Sequence, residues 1–266
     1  MSDIALWRRL LAELLGSAFL AAVVIGSGIA AQRLSPGATG LDLLENAAAT
    51  AAGLFAIMLM FGPVSGGHVN PVVSFVDAAF RGLRWRDAVA YLPVQVAGCI
   101  GGVAIANLMF ALPAVSISTK DRATPAHFLS EVIATFGLIL VIFALARSGR
   151  CRAAPAAVGA YIGAAYFFTS STSFANPAIT VGRMFSGTFA GIAPASAPAF
   201  IAAQIVAGVL ALLVIKALYP TVTPAQSADT IVPHHQGQAE PAPARAARDG
   251  GLPAAARPPG HSQPTT

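Results

Sequence analysis

Two Asn-Pro steps, Asn70-Pro71 in GGHVNPVVSF and Asn176-Pro177 in TSFANPAITVGR, concentrate polar chemistry in an otherwise apolar sequence. Asn is a favoured N-cap and Pro is pre-organised for the first helical position, so each step predicts the start of a helix. The stretch that follows each step is too short to cross a bilayer. Each Asn amide offers two N–H donors and an acceptor oxygen. The preceding residues are Gly66, Gly67, His68 and Val69 in one copy and Thr172, Ser173, Phe174 and Ala175 in the other, and they predict non-helical backbone whose carbonyls form a row of acceptors. Such a set can exchange hydrogen bonds with a small neutral hydroxylic solute, while its two positive helix ends oppose a cation. It is not bond-breaking chemistry. Asn-Pro supplies neither nucleophile nor base, and the chain has no HExxH, GxSxG or paired Asp, so an enzyme is not expected.

The elements that must hold these steps are written in the composition. Of 266 residues, 56% are hydrophobic and only 10% charged, with a mean hydropathy of +0.69, against about 25% charged in ordinary soluble domains. This is the composition of an integral membrane protein. Six segments have the length and polarity of membrane helices: about Leu10 to Ala31, Asn46 to Phe61, Trp85 to Leu108, Phe128 to Ala146, Ala154 to Thr169 and Pro198 to Leu218. The first, behind Arg8 and Arg9, is long enough to be a retained span and not a signal peptide. The Asn-Pro segments fall between spans two and three and between spans five and six. Non-helical backbone survives at membrane depth only when buried in protein or lining a water-filled passage.

Arg8, Arg9, Arg81, Arg84, Arg86, Arg147, Arg150 and Arg152 fall on one side of the membrane, and Arg33, Lys120, Arg122 and Arg183 on the other. The positive-inside rule then predicts cytoplasmic termini in an inner (plasma) membrane. This clustering accounts for the formal net charge of +5 and leaves no basic stripe for nucleic acid. Cys99 and Cys151 cannot make a thiolate metal site by themselves, and neither a metal nor a cofactor is expected.

The halves repeat. AELLGSAFL from Ala12 recurs as SEVIATFGL from Ser130, HVNPVVSF as FANPAITV, and LPVQVAGCIGG around Gln95 as IAAQIVAGVLA around Gln204. With three spans per half, the second copy must be inserted upside down. The expected fold is therefore all-α, with six transmembrane helices and two re-entrant half-helices in an inverted three-plus-three repeat. Residues 1–220 form the membrane domain, with repeat halves at about 8–110 and 126–220. Residues 221–266, rich in Pro and Ala and without an aromatic residue, read as a disordered cytoplasmic tail.

These paired re-entrant motifs within an inverted repeat resemble the aquaporin and glycerol-facilitator proteins, the major intrinsic proteins, over about Leu10 to Tyr219. The resemblance implies a homotetramer in lipid with one pore per subunit, and it carries the family's pore motif onto Asn70, Pro71 and Val72 and onto Asn176, Pro177 and Ala178. It implies that Glu13 and Glu131, expensive inside spans, hold the re-entrant backbone. It also matches Gln95 and Gln204 to family positions, although the residues alone equally allow packing. His68 falls at the inner mouth, where it reads as a structural hydrogen-bonding group, with a pH gate as the alternative.

Two departures shape the expected substrate. Family members resemble one another in having Arg directly after the second Asn-Pro-Ala, where this chain has Ile179. Arg183, one helical turn on, is expected to fall short of the constriction, with a reach back as the alternative. Counting from the asparagines without gaps gives Thr50, Ala164, Ser173 and Ile179 as the constriction. That set predicts a wide, Arg-less filter passing water and small uncharged solutes: glycerol-like polyols, urea or neutral metalloid hydroxides such as arsenous acid. A water-selective channel is the alternative, and a secondary active transporter is the rival from another class.

Overall fold

A computed structural model describes residues 4–220; the expected tail, 221–266, lies outside the described residues. The first half comprises α1 (Leu6–Leu34), α2 (Thr39–Ser65), α3 (Pro71–Ala79) and α4 (Trp85–Met109), and the second comprises α5 (Pro125–Arg147), α6 (Ala154–Phe168), α7 (Pro177–Arg183) and α8 (Ala197–Leu218). Five of these helices are long and apolar enough to cross a membrane. The fifth expected span is α6, a 15-residue helix prolonged at its start by a single 3-10 turn, Cys151–Ala153.

The packing repeats as the sequence does. α1 lies against α2 and α4, and α5 lies against α6 and α8; α2 and α6 join the halves, and α7 inserts beside α4. Glycines set the closest approaches: a Cβ on Gly98 or Gly102 of α4 would collide with the carbonyls of Leu14 or Ala18 on α1. Small residues let membrane helices meet backbone to backbone. On α6, Gly159 and Gly163 face Ala51 of α2, and on α8 Gly208 admits the Val72 side chain. The outward faces of the long helices carry exposed Phe19, Leu59, Ile105, Leu129 and Leu213, as expected where lipid is the solvent.

α3 and α7 start where the Asn-Pro steps predict. Asn70 and Asn176 are the N-caps, both in extended backbone, and Pro71 and Pro177 begin the helical turns. Neither half-helix exceeds 9 residues, about 13.5 Å at 1.5 Å per residue, so neither can span alone.

Candidate functional site: two re-entrant loops around a shared passage

Each loop hangs on one buried carboxylate. Glu13 Oε1 accepts from Ser65 Oγ at 2.6 Å and from the His68 N–H at 2.9 Å, while Oε2 accepts from the Val69 N–H at 2.7 Å and Gln95 Nε2 at 2.8 Å. Glu131 repeats the pattern: Oε1 accepts from Ser171 Oγ at 2.6 Å and the Phe174 N–H at 2.8 Å, and Oε2 from the Ala175 N–H at 2.9 Å and Gln204 Nε2 at 2.7 Å. A carboxylate in a low-dielectric interior is costly unless its oxygens are hydrogen-bonded. Here four donors surround each one, and two of the four are backbone N–H groups that the re-entrant chain would otherwise leave unmet. Gln95 and Gln204 thus bridge the long helices to the loops, each also reaching the half-helix hydroxyl of Ser74 or Thr180.

The loops are tied to each other. Asn70 Nδ2 donates to the Ala175 carbonyl at 2.8 Å, and Asn176 Nδ2 donates to the Val69 carbonyl at 2.7 Å. The Asn oxygens accept from the Val72 N–H and from the Ala178 and Ile179 N–H groups, closing the first turns. One amide hydrogen per Asn remains for another acceptor. Both asparagines line a cavity of about 50 Å³, room for a few small molecules at the ~10–15 Å³ of probe-centre space that one water requires.

One side of this cavity is polar, with Gly67, His68, Val69 and Asn70 from the first loop and Ser173, Phe174, Ala175 and Asn176 from the second. The lining also includes apolar Leu20, Val24, Leu138 and Ile142. Gly66 and Thr172, expected in the acceptor row, are absent from the lining. They turn the corner instead, Gly66 as the left-handed C-cap of α2 and Thr172 at φ 63°.

The constriction positions divide. Thr50, Ser173 and Ile179 line the cavity, but Ala164 is exposed on the outer face of α6. Val158, Ile162 and Tyr166 form the inward stripe, at the four-residue spacing that keeps side chains on one helix face. Ala164 lies about 200° around the helix from Tyr166, so the ungapped count lands on the wrong side. Tyr166, which the sequence reading missed, places its hydroxyl 3.2 Å from Thr50 Oγ1.

The Arg-less expectation also needs correction. Arg183 is 2% exposed and lines the same cavity. Its Nε donates to the Ala190 carbonyl, and its guanidinium lies 3.3 Å from the centroid of the Phe174 ring. Arg122, also buried, comes within 5.3 Å of that centroid and donates to the Gly191 carbonyl at 3.0 Å. Arg is long enough for its head to stand away from its own turn, and an aromatic face holds it there.

At the other loop, His68 Nδ1 is 3.0 Å from Ser74 Oγ and Nε2 is 3.5 Å from Asp77 Oδ2. With the asparagines superposed in register, His68 corresponds to Phe174 and Asp77 to Arg183. Ser65 and Ser171, each five residues before its Asn, were legible as partners of Glu13 and Glu131 by that equal spacing. No group of His, Cys, Asp and Glu able to hold a metal occurs among the described residues.

Two half-helices capped toward a common midplane, inside an inverted repeat and around a narrow, mostly apolar passage with a few polar groups, define a membrane channel. The model of the family "Major intrinsic protein" matches residues 1–173, and the chain belongs to that family. It is 46% identical over 224 residues to the aquaglyceroporin AqpS of Rhizobium meliloti (strain 1021), covering 84% of this chain and 95% of that one. It is 32% identical over 186 residues to a probable TIP-type aquaporin of Medicago truncatula, covering 65% of this chain and 72% of the other. The X-ray structure of the aquaglyceroporin from Plasmodium falciparum has the same fold, with a TM-score of 0.62 at 21% identity over 82% of this chain and 97% of that chain. The protein is a multi-pass membrane channel for water and small solutes, not an enzyme.

Proposed function

We propose that the passage conducts glycerol-like polyols, urea and neutral metalloid hydroxides such as arsenous acid, with water passing as well. The observation that carries this reading is the two-faced lining around the second loop. Thr50, Tyr166 and Ser173 offer hydroxyls there, Arg183 offers a guanidinium, and Ile179 and the Phe174 ring offer carbon. Ser173 Oγ is buried and has no hydrogen-bond partner among the described residues, and in this reading a solute at the second loop supplies one. A polyol presents hydroxyls along one edge and C–H groups along the other, and it can exchange its bulk hydrogen bonds for this strip while its carbon edge meets the apolar wall. A cation meets two half-helix N-termini and Arg183 in a low-dielectric passage.

In this reading Thr50, Ser173, Ile179, Tyr166 and Arg183 set selectivity. The carbonyls of Gly67, His68, Val69, Ser173, Phe174 and Ala175 pass the solute along, and Asn70 and Asn176 hold it at the midplane. The channel works as a homotetramer in the inner membrane with both termini cytoplasmic, as the Lys and Arg distribution supports. The test is light-scattering of proteoliposomes challenged with water, glycerol, urea and arsenous acid gradients. The expected result is fast, non-saturating flux of all four without an ion gradient. Saturable uptake that requires an ion gradient would replace the channel with a transporter, and flux of water alone would leave the water-selective alternative.

A further inference from the structure

Away from the passage, a surface basin of about 480 Å³ is bounded by the start of α1 and the turn between α3 and α4, and Arg9, Arg81, Arg84 and Arg86 all line it. The carboxylate among them is Asp87. Its Oδ2 accepts from Arg9 Nη2 at 2.8 Å and from Arg84 Nε at 3.0 Å, and Arg86 Nε lies 3.4 Å from Oδ1. Among the described residues, one carboxylate against four guanidiniums leaves the basin positive. Arg9 is 4% exposed; the Tyr91 hydroxyl lies within range of its guanidinium, but its Nε and Nη1 have no well-formed hydrogen bond among the described residues. Buried guanidinium donors without acceptors are costly, and a phosphate group fits such forked donors.

The surroundings specify where that phosphate comes from. Both tryptophans of the chain are sequence neighbours of the basin arginines: Trp7 precedes Arg8 and Arg9, Trp85 sits between Arg84 and Arg86, and both are exposed. Leu11 and Val89, one turn deeper along α1 and α4, are exposed as well. Exposed Trp beside Arg, followed by exposed aliphatic residues, is the profile of a headgroup boundary.

We infer that this basin binds the phosphate of an anionic phospholipid headgroup at the membrane interface. Arg9 holds it from below, Arg81, Arg84 and Arg86 close over it, and the acyl chains lie along the exposed faces of α1 and α4.

The test uses the full chain in detergent micelles and follows its tryptophan fluorescence during titration with brominated phosphatidylglycerol or brominated phosphatidylcholine. Phosphatidylglycerol is expected to reach half-quenching at a roughly tenfold lower lipid fraction. That preference should vanish in the Arg81→Gln/Arg84→Gln/Arg86→Gln variant, whose three side chains are exposed. Should that triple variant not fold, Arg84→Gln alone, with a side chain 61% exposed, is expected to narrow the preference severalfold. Equal quenching by the two lipids, or a preference unchanged in the variants, would overturn the inference. A tryptophan response to millimolar inorganic phosphate alone at constant ionic strength, together with equal quenching by the two lipids, would also overturn it, in favour of a free-anion site.

Discussion

The two re-entrant loops share a scaffold and differ in the residues packed around it. Glu, Ser, Gln and Asn occupy matching places in both halves and make matching hydrogen bonds. The first loop turns on Gly66 and Gly67, at φ 95° and 59°. The second makes the same turn with Thr172 and Ser173 at φ 63° and 49°, a left-handed conformation that costs L-residues about 1–2 kcal/mol each. Where the first loop carries His68 beside Asp77, the second carries Phe174 beneath Arg183. The repeat preserves the fastening and exchanges the sign of charge: Asp77 stands at the register position of Arg183, but only Arg183 lines the cavity.

The strained loop should depend more on its anchor. Glu131→Gln replaces acceptor lone pairs by N–H groups facing donors and is expected to destabilise by about 3–5 kcal/mol. Glu13→Gln, acting on a glycine turn, should cost distinctly less. Thermal unfolding in detergent gives the ranking, and a larger loss at Glu13 would break the comparison. At the next level, Ile179→Arg sets a second guanidinium near Arg183. It should slow glycerol flux by roughly tenfold, about 1.4 kcal/mol of barrier, and water much less; equal slowing of both would remove Ile179 from the constriction.

Arg183 lines the passage and Asp77 does not, which predicts unequal leak phenotypes. Arg183→Leu should raise sodium or proton leak severalfold in voltage-clamped membranes, whereas Asp77→Asn should leave the cation barrier standing. Equal leaks would mean that the half-helix ends alone carry it. The smallest effect concerns the turns themselves: Gly66→Thr should lower stability by about 1–2 kcal/mol, and Thr172→Gly should change it by less than about 1 kcal/mol, since relief of strain is offset by added chain entropy. A matching loss in both would show that Thr172 makes a contribution beyond its backbone.

Legibility followed repetition and polarity. Glu13, Glu131, Asn70 and Asn176 stood out because each is a polar residue, recurring in register, where the membrane makes polarity expensive. Gln95 and Gln204 recurred too, but only the geometry separates a bridge to a carboxylate from ordinary packing. α6 failed for the opposite reason. APAAVGAYIGAAYFF is apolar or small at every position, so nothing in it marks which face turns inward, and an error of two residues exchanged Ala164 for Tyr166. Arg183 failed because its position is a matter of side-chain reach: a ring on the preceding loop, Phe174, captures the guanidinium, and neither residue announces the other in sequence.

The reciprocal amide bonds between the loops have a consequence in time. Asn70 reaches its acceptor across 105 residues of chain, about 5–20 s of synthesis at roughly 5–20 residues per second. Throughout that interval α1 to α4 can assemble and Glu13 can grip the first loop, but the Asn70 amide has no mate until the second loop arrives. The arrival of Ala175 and Asn176 lets the reciprocal pair close, and α8, whose Gln204 completes the grip of Glu131 on the second loop, is still to follow.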